Sequence, residues 1–251
     1  MTLVLSLFPG IGLLDMAFEL EGFCVVRGPD VLWGGDVRNF HPPAGKFDGV
    51  IGGPPCQAFS RLAHMVRQNG YEPKFGNLIP EFERVVDEAQ PTWFVMENVP
   101  DAPTPSVFGY ETWSCILNNR QCFDENGEPA KQNRTRRWTF GSGERTALMI
   151  DTAVFEHPEF EYAATGGSAR PIAIGGSGKP KKWSDRSRMP FNSKSAAGFR
   201  EVCQKQGLPD EFDLPPFTVS AKCKAIGNGV PLPMGRAIAR AVKEAIGVVS
   251  A

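Results

Sequence analysis

Short apolar runs separated by amphipathic stretches dominate the first hundred residues of the chain. The first run, Thr2–Phe8, is β-prone and ends at the glycine-containing turn Pro9–Gly12. Residues 13–20 then carry apolar side chains at helical spacing, so the pattern predicts a strand, a turn and a helix in that order. The same criteria predict three further strands and one helix, at Phe23–Val26, Asp48–Gly53, Thr92–Met96 and residues 81–89.

The second half of the chain is less regular. Arg137–Phe140 and Ala147–Ile150 predict strands, whereas Gly141–Ser195 is rich in glycine and proline and favours loops and short strands. Pro231–Val249 carries an apolar stripe that predicts a final helix. Apolar strands that alternate with helices favour an α/β fold, in which helices cover both faces of a mostly parallel sheet.

Composition adds one local feature to this picture. The chain has 251 residues, 41% of them hydrophobic and 22% charged, with a net charge of -1, as is ordinary for a soluble domain. Between Thr165 and Ser195, however, the sequence contains seven basic residues and only one acidic residue, Asp185. This segment is either a solvated loop or a surface that meets an anionic partner.

The cysteines and the first residues exclude several classes of protein. None of the six cysteines forms a Cys-x-x-Cys pair, so we expect no zinc site and reduced thiols, as in a cytoplasm. Met1–Leu14 is apolar, but it lacks the basic start and cleavage site of a signal peptide. No apolar run is long enough to span a bilayer, so we expect no membrane association.

Cys56 is the first candidate for chemistry, because it follows the rigid segment Gly53-Pro54-Pro55 at the end of a predicted strand. Ligands bind at that end of an open α/β sheet, and the two prolines fix the backbone before the thiol. The residues alone leave Cys56 either a nucleophile or a small buried hydrophobe. The residues alone also leave two interpretations of the glycine turn Gly10-x-Gly12, as a ligand-binding turn or as a plain tight turn.

Polar residues follow two later strands. Glu97 lies at the end of the strand that contains Thr92–Met96, where it either faces the same crevice as Cys56 or caps a turn at the surface. Gln132, Arg134 and Arg136 alternate along an extended segment and therefore share one side. Guanidinium groups in that arrangement suit phosphates or a base carbonyl, although a solvated basic strand would show the same pattern.

The order of these motifs resembles the DNA cytosine-5 methyltransferase family over Leu5 to about Ala245. The resemblance implies a Rossmann-like fold, dependent on S-adenosylmethionine, that methylates carbon 5 of cytosine in double-stranded DNA. It implies a catalytic domain at 1–142 plus 218–251 and a small recognition domain at 143–217. The matching motifs are Gly10-x-Gly12, Pro55-Cys56-Gln57, Glu97-Asn98-Val99, Gln132-x-Arg134-x-Arg136 and Gly227-Asn228-Gly229-Val230.

The resemblance also implies a role for each residue. Cys56 would add to carbon 6 of a flipped cytosine, Glu97 would donate to ring nitrogen 3, and Arg136 would stabilise the carbonyl oxygen, with Arg134 and Gln132 in support. Asp30 would bind the cofactor ribose, Leu32 or Trp33 would pack on adenine, and Asp36 would accept from the adenine amino group. The other cofactor residues would be Phe8, Pro9, Gly10, Ile11, Gly12, Pro54, Leu78, Asn228 and Val230, and the DNA contacts would be Gln57, Ser60, Arg61, Lys181, Lys182 and Arg186.

Two other functions stay open at this point. One is the same reaction on transfer RNA, although the Cys-Phe-Thr triplet typical of that branch is missing. The other is an inactive DNA-binding relative, which would have no need of the thiol. For the active enzyme we expect a monomer in a bacterial or phage-infected cytoplasm, without a metal and with a restriction endonuclease as a possible companion.

The basic segment leads to a prediction about the salt dependence of DNA binding. If Lys181 and Lys182 contact phosphates, neutralising both should weaken DNA binding and reduce its salt dependence by about 1 to 2 units of slope, because fewer counterions are released. Binding titrations over a range of salt concentrations measure that slope. An unchanged slope would place the two lysines away from the DNA backbone.

Overall fold

The computed structural model describes residues 1–55, 76–130, 132–154, 161–165, 168–172 and 195–247. It divides the chain into two compact units. The first comprises Met1–Leu117, Thr135–Ile150 and Ile238–Ala251, and the second comprises Asn118–Arg134 and Asp151–Ala237. The functional domain boundaries given above stay a prediction.

The first unit is built on a six-stranded sheet of order β2-β1-β3-β4-β6-β5. The pairings of β1 with β2 and β3, and of β3 with β4, are parallel, whereas β4 pairs with β6 in antiparallel orientation. The mostly parallel α/β sheet is therefore confirmed. Its elements are β1 (Leu3–Leu7), α1 (Leu13–Leu20), β2 (Cys24–Arg27), β3 (Gly49–Gly52), α2 (Ile79–Ala89), β4 (Trp93–Asn98), β5 (Glu111–Asn118) and β6 (Thr135–Ser142).

Helices cover both faces of this sheet. Successive side chains of a strand point to opposite faces, and in β4 Trp93 stacks on Phe18 of α1 while Phe94 meets Phe82 of α2 edge-on. All four rings are buried. The sheet is therefore doubly wound, as the alternation of apolar strands and helices predicted.

The second unit contains an antiparallel pair of short strands and two helices that pack against each other. Ser195 and Thr218 cap the two helices, because their hydroxyls accept from the backbone N–H groups of Gly198 and Ala221. The last helix of the chain begins in this unit. The elements are β7 (Glu161–Thr165), β8 (Ser168–Ile172), α3 (Ala196–Lys205), α4 (Val219–Asn228) and α5 (Leu232–Ala245).

One predicted element is wrong and three were missed. Ala147–Ile150 forms no strand, because it pairs with none of the six strands of the sheet, and only Leu148 of its four residues is buried. The edge strand β5 escaped prediction because its exposed and half-buried residues lack a clear alternation. Helices α3 and α4 were also missed, although their capping residues Ser195 and Thr218 are recognisable start signals.

Two strand positions require glycine because an aromatic ring of the residue paired with them on the neighbouring strand occupies the space beside them. Gly49 pairs with Trp93 and Gly141 pairs with Phe94. A β-carbon at Gly141 would lie 2.2 Å from Cε1 of Phe94, and one at Gly49 would be equally close to the Trp93 ring. The two glycines therefore make room for the rings that form the core.

We predict that Gly141→Ala destabilises the protein by about 1 to 3 kcal/mol, because the buried Phe94 ring has to move. Gly143 is the matched control, since a β-carbon there meets nothing within 4 Å. Gly143→Ala should change the free energy of unfolding by less than about 0.5 kcal/mol. Urea denaturation measures both values, and equal stability of the two variants would contradict the packing described here.

Candidate active site and cofactor pocket

An ion pair joins the ends of β4 and β6. Nε of Arg136 lies 2.7 Å from Oε1 of Glu97, and the two side chains are only 19% and 12% exposed. Strand β4 carries Glu97 just beyond its buried apolar part, and the antiparallel neighbour β6 brings Arg136 alongside. The structure therefore brings together two of the residues that the sequence predicted to be catalytic.

The segment that precedes Cys56 lies against this ion pair. A β-carbon at Gly53 would be 3.2 Å from Oε2 of Glu97, so the carboxylate lies close over the glycine. The buried Asn98 donates through Nδ2 to the carbonyl oxygen of Pro54 at 3.2 Å and thereby holds this segment beside β4. Cys56, Gln57, Ser60 and Arg61 lie outside the described residues, as do Lys181, Lys182 and Arg186.

Arg134 has a different set of contacts, within the second unit. It is buried, and it donates to the carbonyl oxygens of Gly227 at 2.6 Å and of Asn228 at 3.4 Å. The buried Gln132 accepts from Nδ2 of Asn119 at 3.4 Å. Arg134 therefore satisfies carbonyl groups at the end of α4, where a helix leaves them without partners of its own.

Gln206 holds the same helix end, a contact that no pattern in the sequence predicts. Its buried amide Nε2 donates to the carbonyl oxygens of Ile226 at 2.5 Å and Gly229 at 3.2 Å. Together with Arg134 it fixes the backbone that carries Asn228 and Val230, two predicted cofactor residues. Asn228 is exposed and Val230 is buried.

The turn between β1 and α1 depends on two glycines in the left-handed region, Gly10 at φ 56° and Gly12 at φ 82°. Glycine adopts this conformation without steric cost. Behind the turn, the buried Asp15 of α1 accepts from the Ser6 hydroxyl and pairs with Arg27 of β2. Burial raises the pKa of Asp15, and the contacts with Ser6 and Arg27 partly oppose that rise.

A pocket lies beside this turn, within the first unit. Two carboxylates line it, Asp30 and Asp36, and the hydrogen bond from Arg38 lowers the pKa of Asp36, which stays an acceptor at neutral pH. Carboxylates suit the hydroxyl and amino groups of a nucleoside, and apolar side chains suit its base, so the lining fits S-adenosylmethionine. The remaining described residues of the lining are Phe8, Pro29, Val31, Gly35, Val37, Arg38, Pro55, Gly76 and Leu78.

Comparisons with known proteins agree with this arrangement. The family model for C-5 cytosine-specific DNA methylase matches residues 34–122. The type II methyltransferase M.FnuDI of Fusobacterium nucleatum is 33% identical over 87% of this chain and 70% of its own length. The chain belongs to the C-5 cytosine-specific DNA methylase family. It is a DNA cytosine-5-methyltransferase, related to the type II enzymes of restriction-modification systems.

Other relatives of this methyltransferase cover almost the whole chain. The type II methyltransferase M.NgoPII of Neisseria gonorrhoeae is 24% identical over 97% of this chain and 96% of its own. The solved structure of the Entamoeba histolytica methyltransferase EhMeth has a TM-score of 0.61 at 13% identity, and the match covers 98% of both chains. The S. pombe Dnmt2 methyltransferase has a TM-score of 0.59 at 15% identity, over 97% of this chain and 99% of the other. These structures share the fold.

Two other thiols of this methyltransferase are held in their protonated form. Burial raises the pKa of Cys115 and of Cys203 to about 11, so neither is a thiolate near neutral pH. Within the described ranges no group of His, Cys, Asp and Glu side chains could hold a metal ion. None of the described helices combines the length and apolar character needed to cross a bilayer.

Proposed function

We propose that this enzyme methylates carbon 5 of cytosine in double-stranded DNA, using S-adenosylmethionine, base flipping and a covalent adduct of Cys56. The observation that carries the proposal is the half-buried pair of Glu97 and Arg136 beside Gly53-Pro54-Pro55, the segment that leads to Cys56. A carboxyl group, a guanidinium group and a thiol are the three groups that the reaction needs around one pyrimidine ring.

The thiol overcomes the poor nucleophilicity of carbon 5. The Cys56 thiolate forms a bond to carbon 6, and the electron pair of the 5,6 double bond becomes available at carbon 5. S-adenosylmethionine, when bound, would supply the electrophilic methyl group to carbon 5, and its S–CH3 bond would break to leave S-adenosylhomocysteine. A base removes the proton from carbon 5, the double bond forms again, and the Cys56 thiolate leaves.

Glu97 and Arg136 act on the charge that the addition places in the ring. In its protonated form Glu97 donates its proton to ring nitrogen 3, while Arg136 donates to the carbonyl oxygen at position 2. A guanidinium has five N–H donors; Arg136 directs Nε at Glu97, and its Nη1 donates to the carbonyl oxygen of Thr135. The ion pair thus fixes the carboxyl group before substrate arrives and leaves Arg136 with donors for cytosine.

A cytosine within a duplex cannot reach a pair that is enclosed between two strands and a loop. The base therefore has to flip out of the helix, at a cost of a few kcal/mol. Phosphate contacts by Lys181, Lys182 and Arg186, with Gln57, Ser60 and Arg61 at the flipped base, would offset this cost. Recognition falls to residues 143–217 in this proposal, and the enzyme acts as a monomer in the cytoplasm.

The cofactor site in this proposal is the pocket beside Gly10 and Gly12. Asp30 takes the ribose hydroxyls, Asp36 takes the adenine amino group, and Leu78 with Phe8 provides apolar contact. Pro9 and Ile11 belong to the turn that contains Gly10 and Gly12, and Pro54 belongs to the segment before Cys56. Asn228 and Val230 bind the methionine end of the cofactor in this proposal. Leu32 and Trp33, which the sequence offered for adenine, are not among the described residues of the lining, whereas Val31 is.

We predict that Glu97→Gln lowers kcat at least about 100-fold while DNA binding is kept, because the amide cannot supply the proton. Steady-state kinetics and a binding titration give the two values. Glu111 of β5 is the matched control, since it is exposed at the sheet edge. Glu111→Gln should keep the wild-type rate, and unchanged turnover in Glu97→Gln would exclude the proton-donor role.

A further inference from the structure

The indole of Trp33 binds the backbone of the glycine turn. Its Nε1 donates to the carbonyl oxygen of Gly10 at 2.6 Å, although the residue is 61% exposed. A tryptophan ring at the surface normally has water as a partner for its N–H group. Here the ring reaches from the segment after β2 to the turn after β1, across 23 residues of chain.

Asp30 binds the backbone N–H group of Gly10. The backbone N–H of Gly10 donates to Oδ2 of Asp30 at 2.9 Å, and Oδ1 accepts from the backbone N–H of Leu32 at 2.7 Å. The carbonyl oxygen of Asp30 also accepts from the backbone N–H of Trp33 at 3.0 Å. Both polar groups of the Gly10 backbone are therefore bound by one short segment, Asp30–Trp33.

Gly10 benefits from such a restraint because it has no side chain that could hold it in place. Its φ is 56°, and even an added β-carbon would meet nothing within 4 Å. Glycine has access to more backbone conformations than any other residue, and a turn built on it is ordered at an entropic cost. The two hydrogen bonds remove that freedom before a ligand arrives.

We infer that Trp33 is a positioning residue for the cofactor and acts as a latch on Gly10. The inference rests on the proposed function, in which the pocket beside Gly10 holds S-adenosylmethionine. Asp30 lines that pocket and binds Gly10 at the same time. The latch therefore joins the ribose side of the pocket to the turn on its methionine side. Its loss should weaken cofactor binding and leave the chemical step intact.

The test compares Trp33→Phe with wild-type enzyme. The ring is kept but its N–H is lost, so the dissociation constant of S-adenosylhomocysteine should rise about three- to tenfold, as expected for one hydrogen bond. KM for S-adenosylmethionine should rise in step, and kcat at saturating cofactor should stay within about twofold. Trp113 of β5 provides the control, and Trp113→Phe should leave both constants unchanged.

Two outcomes would overturn the latch: an unchanged dissociation constant in Trp33→Phe, or a kcat that falls as much as kcat/KM. Hydrogen exchange of the indole N–H in the intact wild type tests the same contact without a variant. Slow exchange supports the latch, and exchange as fast as in a free indole contradicts it. If wild-type protein binds no S-adenosylhomocysteine, the result counts against the proposed function. Slow exchange of the indole N–H in the same protein would show that the contact between Trp33 and Gly10 is nevertheless present.

Discussion

Strand β4 is buried on both faces, and this constraint organises the first unit. Trp93 and Phe94 project to opposite sides of the sheet, where they meet Phe18 of α1 and Phe82 of α2. The neighbouring strands accommodate these rings with glycine at Gly49 and Gly141. A strand fixed in this way carries the residues at its end to defined positions, and those residues are Glu97 and Asn98.

The enclosure of Glu97 and Arg136 has an energetic consequence. Two charges taken partly out of water lose hydration, and their mutual attraction offsets that loss only while both are present. Such a pair contributes little to stability on balance, but it holds the carboxyl group and the guanidinium group in one arrangement. Asn98 adds a buried hydrogen bond to Pro54 and keeps the segment before Cys56 next to the pair. The ion pair and this segment are thus held together by contacts within the protein.

In the second unit, polar side chains likewise hold the backbone in place, here at the end of helix α4. Arg134 and Gln206 donate to carbonyl oxygens at the end of α4, those of Ile226, Gly227, Asn228 and Gly229. In the first unit, Trp33 donates to the carbonyl oxygen of Gly10 and Asp30 accepts from its N–H group. Polar side chains that bind backbone groups therefore fix both glycine-containing segments that the family resemblance assigned to the cofactor.

Much of this arrangement could be predicted from sequence, because strand and helix periodicity is local. The apolar runs located β1, β3 and β4, and motif order related Cys56 to Glu97 and Arg136. The contacts of Asn98, Gln206 and Trp33 could not be predicted, since each joins residues 20 or more positions apart and leaves no periodic trace. The prediction of a strand at Ala147–Ile150 failed for a similar reason, because a strand needs a pairing partner and a local apolar run does not show whether one is present.

Covalent trapping on DNA that contains 5-fluorocytosine tests the proposed chemistry most directly, since fluorine at carbon 5 prevents release of the thiol. With S-adenosylmethionine present, wild-type enzyme and Cys115→Ala should both form a complex that survives denaturation, whereas Cys56→Ala should form none. A Cys56→Ala protein that traps as well as wild type would contradict the account.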